Sequence, residues 1–461
     1  MSTLKTTNLQ ESNASGANIV LGTGSGGGAT ISGVTTSSTL RATTGITTTA
    51  LINTATITTS RTTTGITTTA TIDTATVGGV TTLNSDGINS TGISTAKAFV
   101  PSEGQTSHRN LIINGAMSVA QRATSSTSVG YVTIDRFNTD YGGENEAMTY
   151  TQHALTSSDT GPWAEGFRHS FHVQNGNQTG GAGAGDYVFV RTKLEAQDLS
   201  TSGWNYNSSS SYITLSFWVK SSVAQNFYGR LESPDGTTYN YPFETGSLTA
   251  NTWTKITKTI PGNSNLTINN DNGSGMEFHW QLFRGTNFTD SGVALNTWAT
   301  YASGTRTPDA TSTWWTTNDA TWELTGVQLE VGSVATPFEH RSYGDQLKRC
   351  KRYYQQYPEL AADGYAPYPG SGAAVMTTTT AGWAMNYDTM RAAPTVSWSG
   401  NHRMVELNAD RAVTGFAAYH GSASTGWMVV TASGGGMTAG NAAIIGRNND
   451  TSAYVKFDAE L

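Results

Sequence analysis

The sequence predicts a mainly β protein: an elongated homotrimeric fibre with a Thr-rich intertwined β shaft, a β-sandwich (jelly-roll) domain, one short helix and a C-terminal all-β tip domain. Three observations predict this fold. A Thr-rich segment is repeated near the amino terminus, several later segments alternate apolar and polar side chains, and one segment has helical spacing. The predicted domains are 1–20, 21–107 (shaft), 108–340 (sandwich) and 341–461 (helix and tip).

Composition sets the broad class of the protein. The chain has 461 residues, a net charge of −7 and only 13% charged residues, while glycine is abundant at 51 residues. A slightly acidic chain predicts no nucleic-acid partner. A single cysteine predicts no intrachain disulfide framework. No run approaches the roughly 18 apolar residues of a membrane span, so no membrane insertion is expected.

The shaft prediction depends on the repeat. Residues 43–57 and 63–77 are identical at twelve of fifteen positions and consist mainly of Thr, Ile and Ala. Each copy is typical of two short strands separated by a turn at Asn53 or Asp73. One copy buries too little to be stable alone, which favours three chains sharing a thin core. A disordered linker is the alternative. The side chains expected to face the common axis are Ile46, Ile52, Ile57, Ile66, Ile72 and Val77.

The sandwich prediction depends on alternation. In the segment 211–222, four apolar side chains fall on one face of a strand: Ile213, Leu215, Phe217 and Val219. Segments 253–260, 276–283 and 321–332 have the same pattern, and turn-forming clusters rich in Gly, Asn and Asp separate them. Many antiparallel strands with little helix indicate a sandwich or jelly roll.

One segment, 343–357, has the spacing of a helix. Its apolar stripe is expected to pack on a sheet or to meet its copies on a three-fold axis. On this stripe the cysteine is expected to be a small buried hydrophobe and not a nucleophile. Strand-like segments resume over 372–461 and predict the tip domain. The stripe is formed by Leu347, Cys350, Tyr354 and Tyr357.

The sequence contains none of the common catalytic or phosphate-binding motifs, so neither enzymatic activity nor a cofactor is predicted. Glycan hydrolysis is an alternative, because it needs only two nearby carboxylates. Nothing in the sequence pairs the carboxylates available to it, which are Asp235, Glu244, Glu277 and Glu323. A structural calcium ion at Glu323 or Glu330 is a further alternative that no motif supports.

Aromatic and polar side chains on the outer faces of strands are the candidates for ligand binding. Sugars stack on flat rings and bind polar side chains through their hydroxyl groups. Trp314 and Trp315 are adjacent, so on a strand one of them would face outward. Ordinary packing is the alternative for each candidate. The residues selected as carbohydrate-binding are Trp218, His279, Gln281 and Trp315.

Four segments carry a family resemblance. "NLIINGAMSVAQR" at 110–122 and "WELTGVQLEVGSVATPFEHRSYGDQLKRCKRYYQ" at 322–355 resemble the opening and the close of a domain common in bacteriophage tail-fibre proteins. The first segment also resembles the start of carbohydrate-binding-module jelly rolls. "MSTLKTTNLQ" at 1–10 and "ANIVLGTG" at 17–24 are similar to the start of structural proteins of marine tailed phages, cyanophages especially.

The resemblance implies a virion tail fibre that is assembled in the host cytoplasm. Residues 1–20 would anchor it to tail or baseplate proteins. Host attachment would then follow from weak glycan contacts that are repeated in a trimer. A head, neck or collar fibre or a decoration protein with a mainly structural role is one alternative, and a glycan-degrading tailspike is another.

Overall fold

The computed structural model describes most of the chain after residue 106, and the ranges are 107–359, 363–368, 370, 372–407 and 409–461. Two of the predicted regions, the anchor and the repeat-containing shaft, therefore lie outside the described residues. The same is true of the six side chains expected to face the shaft axis: Ile46, Ile52, Ile57, Ile66, Ile72 and Val77.

Two sheets and two short helices form the first part of the described chain. Their bounds are β1 Ser125–Ser126, β2 Phe137–Gly142, β3 Thr149–Ala154, β4 His169–Gln174, β5 Tyr187–Glu195, α1 Ala196–Ser200, β6 Tyr212–Ser221, β7 Asn226–Ser233, β8 Tyr239–Ser247, β9 Thr254–Pro261, β10 Ser274–Arg284, β11 Ala299–Thr300, α2 Thr313–Thr316 and β12 Thr321–Val331. The first sheet has the order β1-β3-β4-β12-β6-β9, and the second has the order β11-β8-β7-β10-β5-β2.

The two sheets pack face to face around one core. Their neighbouring strands are antiparallel, for example β12 with β6 and β10 with β5. Phe217 of the first sheet meets Trp280 of the second edge to face, with ring centroids 5.8 Å apart. The apolar side chains of β6 are buried in this core, as their alternation predicts. The β-sandwich prediction is therefore confirmed.

A helix, a barrel and a small sheet form the second part. Their bounds are α3 Tyr343–Lys351, β13 Tyr354–Tyr357, β14 Ala373–Val375, β15 Thr380–Asn386, β16 Thr395–Ser399, β17 His402–Glu406, β18 Ala409–Gly421, β19 Thr425–Ala432, β20 Ala442–Arg447 and β21 Tyr454–Asp458. Strands β14-β15-β19-β18-β17-β20 close into a barrel, and β13-β21-β16 form a three-stranded sheet. The all-β character predicted after the helix is confirmed.

The helix is shorter than predicted. It begins after Ser342, whose hydroxyl accepts a hydrogen bond from the Asp345 backbone N–H, and it ends at Lys351 instead of Tyr357. Tyr354 and Tyr357, assigned to the helical stripe from their spacing, belong to β13, which pairs with β21. The partner strand is distant in sequence, so local periodicity gave no sign of this pairing.

Each member of the predicted stripe is buried or half-buried, but against different neighbours. Leu347 and Cys350 pack with Ile113 and Val119 of the segment that leads into the sandwich. Cys350 is a free thiol, and burial raises its pKa well above the usual range. Tyr354 lies under the Arg122 guanidinium, 3.5 Å from the ring centroid, and Tyr357 packs against Phe457.

The end of the chain is joined to the sandwich by ion pairs. Arg122 contacts the carboxylates of Asp458 and Glu460, each at 3.2 Å. Arg136, which is 1% exposed, also pairs with Glu460. Among the helices described, none is long and apolar enough to cross a membrane.

Candidate functional site

The four side chains predicted to contact sugar lie in three different places. His279 and Gln281 alternate with the core residues of β10 and therefore lie on the outer face of the second sheet. Trp218 lies on the outer face of the first sheet, on β6. Trp315 is in α2. The structure brings only His279 and Gln281 together.

Trp315 was wrongly assigned to a solvent-facing position. The segment forms a short helix instead of a strand, and both Trp314 and Trp315 are fully buried. The Trp315 ring lies 5.2 Å from Phe283, and its Nε1 donates a hydrogen bond to the carbonyl oxygen of Gly181 at 2.7 Å. Trp315 is therefore a core residue.

Trp218 is covered by the segment 155–168. Its Nε1 donates to the Glu165 carboxylate at 3.1 Å, and the Lys255 ammonium lies 5.7 Å from the ring centroid. Gly161 approaches the ring so closely that a Cβ at this position would lie 2.8 Å from it. Trp218 is therefore half-buried and packs against this segment.

The outer face of the second sheet carries a row of basic and imidazole side chains. His279 of β10 is aligned with Arg230 of β7 on one side and with Arg191 of β5 on the other. In the next row, Glu277 lies between Glu232 and Lys193. Strand alternation directs these side chains away from the core, so charged groups from three strands meet on one surface.

A β-bulge adds a further arginine to this face. The pairing of β10 with β5 shifts between Gln281 and Phe283. Leu282 and Phe283 consequently both pack in the core, and Arg284 returns to the outer face beside Gln281. The alternation of β10 alone gave no indication of this, because counting by twos from His279 directs Arg284 inward.

Arg284 is a buried cation that pairs with no carboxylate of the described residues. It is 4% exposed, and among the described residues it forms no ion pair and its Nε has no hydrogen-bond partner. Burial, together with Arg230 and Arg306, lowers its pKa to about 9, so it is still charged at neutral pH. Three rings surround its guanidinium, with centroids 4.7 Å (Phe189), 5.6 Å (Phe288) and 5.7 Å (Tyr187) away.

The segment 285–309 closes one side of the site. The Thr307 hydroxyl donates to the Gln281 side-chain oxygen at 3.1 Å, and the Asn240 amide donates to the Arg306 carbonyl oxygen at 2.8 Å. Arg306 itself donates from Nε to the Tyr301 hydroxyl at 2.9 Å. Gln281 is therefore bonded to this segment and is only 4% exposed.

These groups enclose a cavity of about 310 Å³ on the outer face of the second sheet, which we call the basic pocket. A cavity of this volume lies at the lower end of the range for small-molecule sites, about 300 to 1,000 Å³. Four arginines, three carboxylates, one histidine and four aromatic rings line it: Arg191, Arg230, Arg284, Arg306, Asp140, Glu232, Glu277, His279, Tyr187, Phe189, Phe288 and Tyr301.

His279 forms part of the base of the pocket. It lies on the outer face of its strand, as predicted, but is only 2% exposed. Its Nε2 lies 3.2 Å from Arg230 Nη2 and 3.1 Å from Glu277 Oε2, and one nitrogen of a neutral ring cannot both accept and donate. Nδ1 is buried without a hydrogen-bond partner among the described residues. Burial and Arg230 lower the pKa of this imidazole well below its usual range, so the ring is neutral.

The carboxylates considered for glycan hydrolysis have separate surroundings. Burial alone would raise the pKa of Glu277, but His279 and Lys193 outweigh burial and hold the pKa well below its usual range. The Lys193 ammonium lies 2.8 Å from this carboxylate. Each of the other three accepts hydrogen bonds from neighbours of its own: Asp235 from Asn269, Glu244 from Asn226, and Glu323 from Ser170 and Lys220.

No group of three or more His, Cys, Asp and Glu side chains within the described ranges is arranged to hold a metal ion. Glu330, one of the two carboxylates considered for calcium, accepts hydrogen bonds from Gln328 Nε2 at 2.9 Å and from the Thr336 hydroxyl at 2.6 Å. Its oxygens are engaged with protein donors. The calcium alternative thus gains no support from Glu330.

No protein-family model and no curated protein sequence matches this chain. Among solved structures, the enzymatically active domain of tailspike protein 4 from bacteriophage CBA120 has 9% identity and a TM-score of 0.25, covering 48% of this chain and 21% of that chain. The family 11 carbohydrate-binding module of a Clostridium thermocellum cellulosomal cellulase has 11% identity and a TM-score of 0.21, covering 47% and 98%. The N-terminal CBM22-1-CBM22-2 tandem domain of a Paenibacillus barcinonensis protein has 10% identity and a TM-score of 0.23, covering 77% of this chain and 98% of that chain.

Proposed function

We propose that this chain is a structural virion fibre, a tail fibre, that attaches to glycans of the host surface through the basic pocket. The observation that carries the proposal is the combination of aromatic rings and hydrogen-bond donors around one cavity of about 310 Å³. The resemblance of 110–122 and 322–355 to phage tail-fibre domains supports the assignment to a virion.

The chemistry of the pocket suits a sugar. Tyr187, Phe288 and Tyr301 are half-buried rings at its edge and offer apolar surface to the C–H groups of a pyranose. The guanidinium groups of Arg230, Arg284 and Arg306 supply only donors, which suits hydroxyl and acidic oxygens of a saccharide. A few polar groups beside aromatic rings are typical of small-ligand sites.

Binding is tested with the full-length protein and immobilised envelope polysaccharide from the host. We expect weak binding by single sites and much slower dissociation at high ligand density, because several sites of one fibre then engage together. Surface plasmon resonance at two ligand densities measures both properties. If the protein binds no host polysaccharide at either density, the proposed function is wrong.

We propose that attachment does not cleave the glycan. Glycosidases pair a carboxylic acid of raised pKa with a second carboxylate. Glu277 and Glu232 are aligned on neighbouring strands, but each is ion-paired, with Lys193 and Arg230 respectively. Burial raises the pKa of Asp140. Asp140 is nevertheless two strands away from Glu277 and displaced by four residues along the strands, so their backbones are roughly 17 Å apart. Unchanged polysaccharide length after incubation is the expected result, and shortened chains would favour the tailspike.

We also propose that the fibre is a homotrimer held by the shaft within 21–107. Deleting residues 43–80 removes both repeat copies and is expected to convert trimers into monomers in multi-angle light scattering. If trimers persist after this deletion, the segment is a linker and does not hold the trimer together. Gold-labelled antibodies on intact particles are expected to mark the tail, whereas labelled heads or necks would favour a head or neck fibre.

A further inference from the structure

We propose that the ligand of the basic pocket is an acidic saccharide, and that its carboxylate or ester sulfate binds to the guanidinium of Arg284. This inference rests on the proposed function and specifies its ligand class. The observation behind it is a charge that the described protein leaves unbalanced inside a cavity.

The balance of charge in the pocket is positive. Arg230 pairs with Glu232, and Glu277 is shared by Lys193 and Arg191, the latter at 3.5 Å. These pairs account for both glutamates. The third carboxylate of the lining, Asp140, lies within electrostatic reach of Arg191 and Arg284 but forms no ion pair with a described residue, so the four arginines of the lining still outnumber its three carboxylates. Arg284 and Arg306 form no ion pair with any described residue, and both face the same cavity.

Burying a cation without an anion is costly, and buried arginines are almost always paired. The rings around Arg284 return part of this cost through cation–π contacts. The lowered pKa of this guanidinium indicates that the contacts with the rings do not fully offset the cost of burial. An unpaired buried cation destabilises the ligand-free protein. A ligand that carries an anion would supply the missing partner, which explains why the arginine is present.

Unpartnered nitrogens occur on three side chains of the pocket lining. Arg284 Nε, Arg230 Nε and His279 Nδ1 are buried and have no hydrogen-bond partner among the described residues. All three belong to side chains that line the pocket. A guanidinium binds the two oxygens of a carboxylate or a sulfate in a fork, which a neutral hydroxyl cannot match.

A saccharide is favoured over a nucleic acid as the carrier of the anion. The chain has a net charge of −7, and nucleic-acid binding proteins typically present an extended basic surface along the phosphate backbone. The basic pocket is instead one cavity of about 310 Å³ with acidic residues at its sides. Such a cavity accepts one sugar unit with one acidic substituent.

The test uses the full-length protein and isothermal titration with three probes of equal length: a galacturonate trisaccharide, a sulfated galactan trisaccharide and a neutral galactotriose. We expect at least one acidic probe to bind ten times more tightly than the neutral one. The two acidic probes distinguish the carboxylate from the sulfate. Tighter binding of a single-stranded oligonucleotide than of any saccharide would overturn the inference.

Substitutions connect the preference to the pocket. R284Q is expected to weaken binding of the acidic probe tenfold or more and to leave the neutral probe unchanged, and R284K is expected to be intermediate because it keeps the charge but loses the fork. R306Q, at the edge of the pocket, is expected to weaken binding of the acidic probe about threefold, because one partly solvated charge contact is lost. It provides a second test if R284Q does not fold. The matched control is K255Q on the first sheet, which should change nothing.

The possible failures are distinguishable. Equal affinity for acidic and neutral probes, unchanged in R284Q, would overturn the acidic ligand and leave glycan attachment standing. No binding of any probe or of host polysaccharide would overturn the proposed function itself.

Discussion

The outer faces of the two sheets are built from similar residues and differ in how their charges are satisfied. On the first sheet, the Lys220 ammonium lies 3.1 Å from Asp159, 2.9 Å from Glu323 and 4.9 Å from the Trp253 ring centroid. On the second sheet, Arg284 also lies beside aromatic rings, but no described carboxylate pairs with it.

The covering segments explain this difference. The segment 155–168 brings two acidic residues, Asp159 and Glu165, onto the basic residues of the first sheet. The segment 285–309 brings Arg306 and two aromatic rings onto the second sheet, which is already basic. One face is therefore neutralised by its own chain, and the other retains a positive charge for a ligand.

The largest expected effect is on the neutralised face. Lys220→Met removes the shared cation of two mostly buried carboxylates, and we expect the free energy of unfolding to fall by about 3 kcal/mol. Urea denaturation measures this change. Lys255→Met is the control, because its pair with Glu165 is about a third exposed and should contribute less than about 1 kcal/mol. Equal losses in the two variants would contradict the comparison.

The next effect concerns pH and the two histidines that lie on opposite faces. The unfolded chain takes up a proton at His279 below its ordinary pKa of 6.5, whereas the folded protein does not. The free energy of unfolding should therefore decrease as pH falls, by up to about 2 kcal/mol between pH 6.5 and pH 5. His279→Gln should flatten this dependence more than His172→Gln, since burial lowers the pKa of His172 while Glu323 opposes the shift. The same pH slope in both variants would refute the assignment.

The smallest effect has the opposite sign. Arg284→Met replaces an unpaired buried cation by an apolar side chain, and we expect the ligand-free protein to gain about 1 kcal/mol of stability. Thermal and urea unfolding measure the gain. Arg230→Met serves as the control and should lose stability, because it leaves Glu232 without its cation. A loss in Arg284→Met as large as that in Lys220→Met would show that Arg284 is structural.

Much of the sandwich could be predicted from the sequence, because its strands alternate regularly. Ile213 and Phe217 are buried as the pattern of β6 requires, and His279 and Gln281 lie on the outer face of β10. Their burial on that face could not be predicted. It depends on the segment 285–309, which folds over them through contacts that local patterns do not encode.

The failures share one physical cause, which is pairing between distant parts of the chain. Tyr354 and Tyr357 have helical spacing from Cys350, but β21 draws them into a sheet. The two tryptophans of α2 are both buried because Asn175 ties the backbone of this short helix to the sandwich, donating to the carbonyl oxygen of Trp315 at 2.7 Å. Arg284 could not be predicted to lie on the outer face, because the bulge that places it there depends on the register of β10 against β5.

The bulge has a consequence for how relatives of this chain are aligned. On the outer face, Gln281 and Arg284 are consecutive positions of one row, although two core residues separate them along the chain. In a relative whose strand lacks the bulge, the equivalent arginine would stand two residues after the glutamine instead of three. An alignment without a gap at this point would place a core residue opposite Arg284 and hide a shared charge.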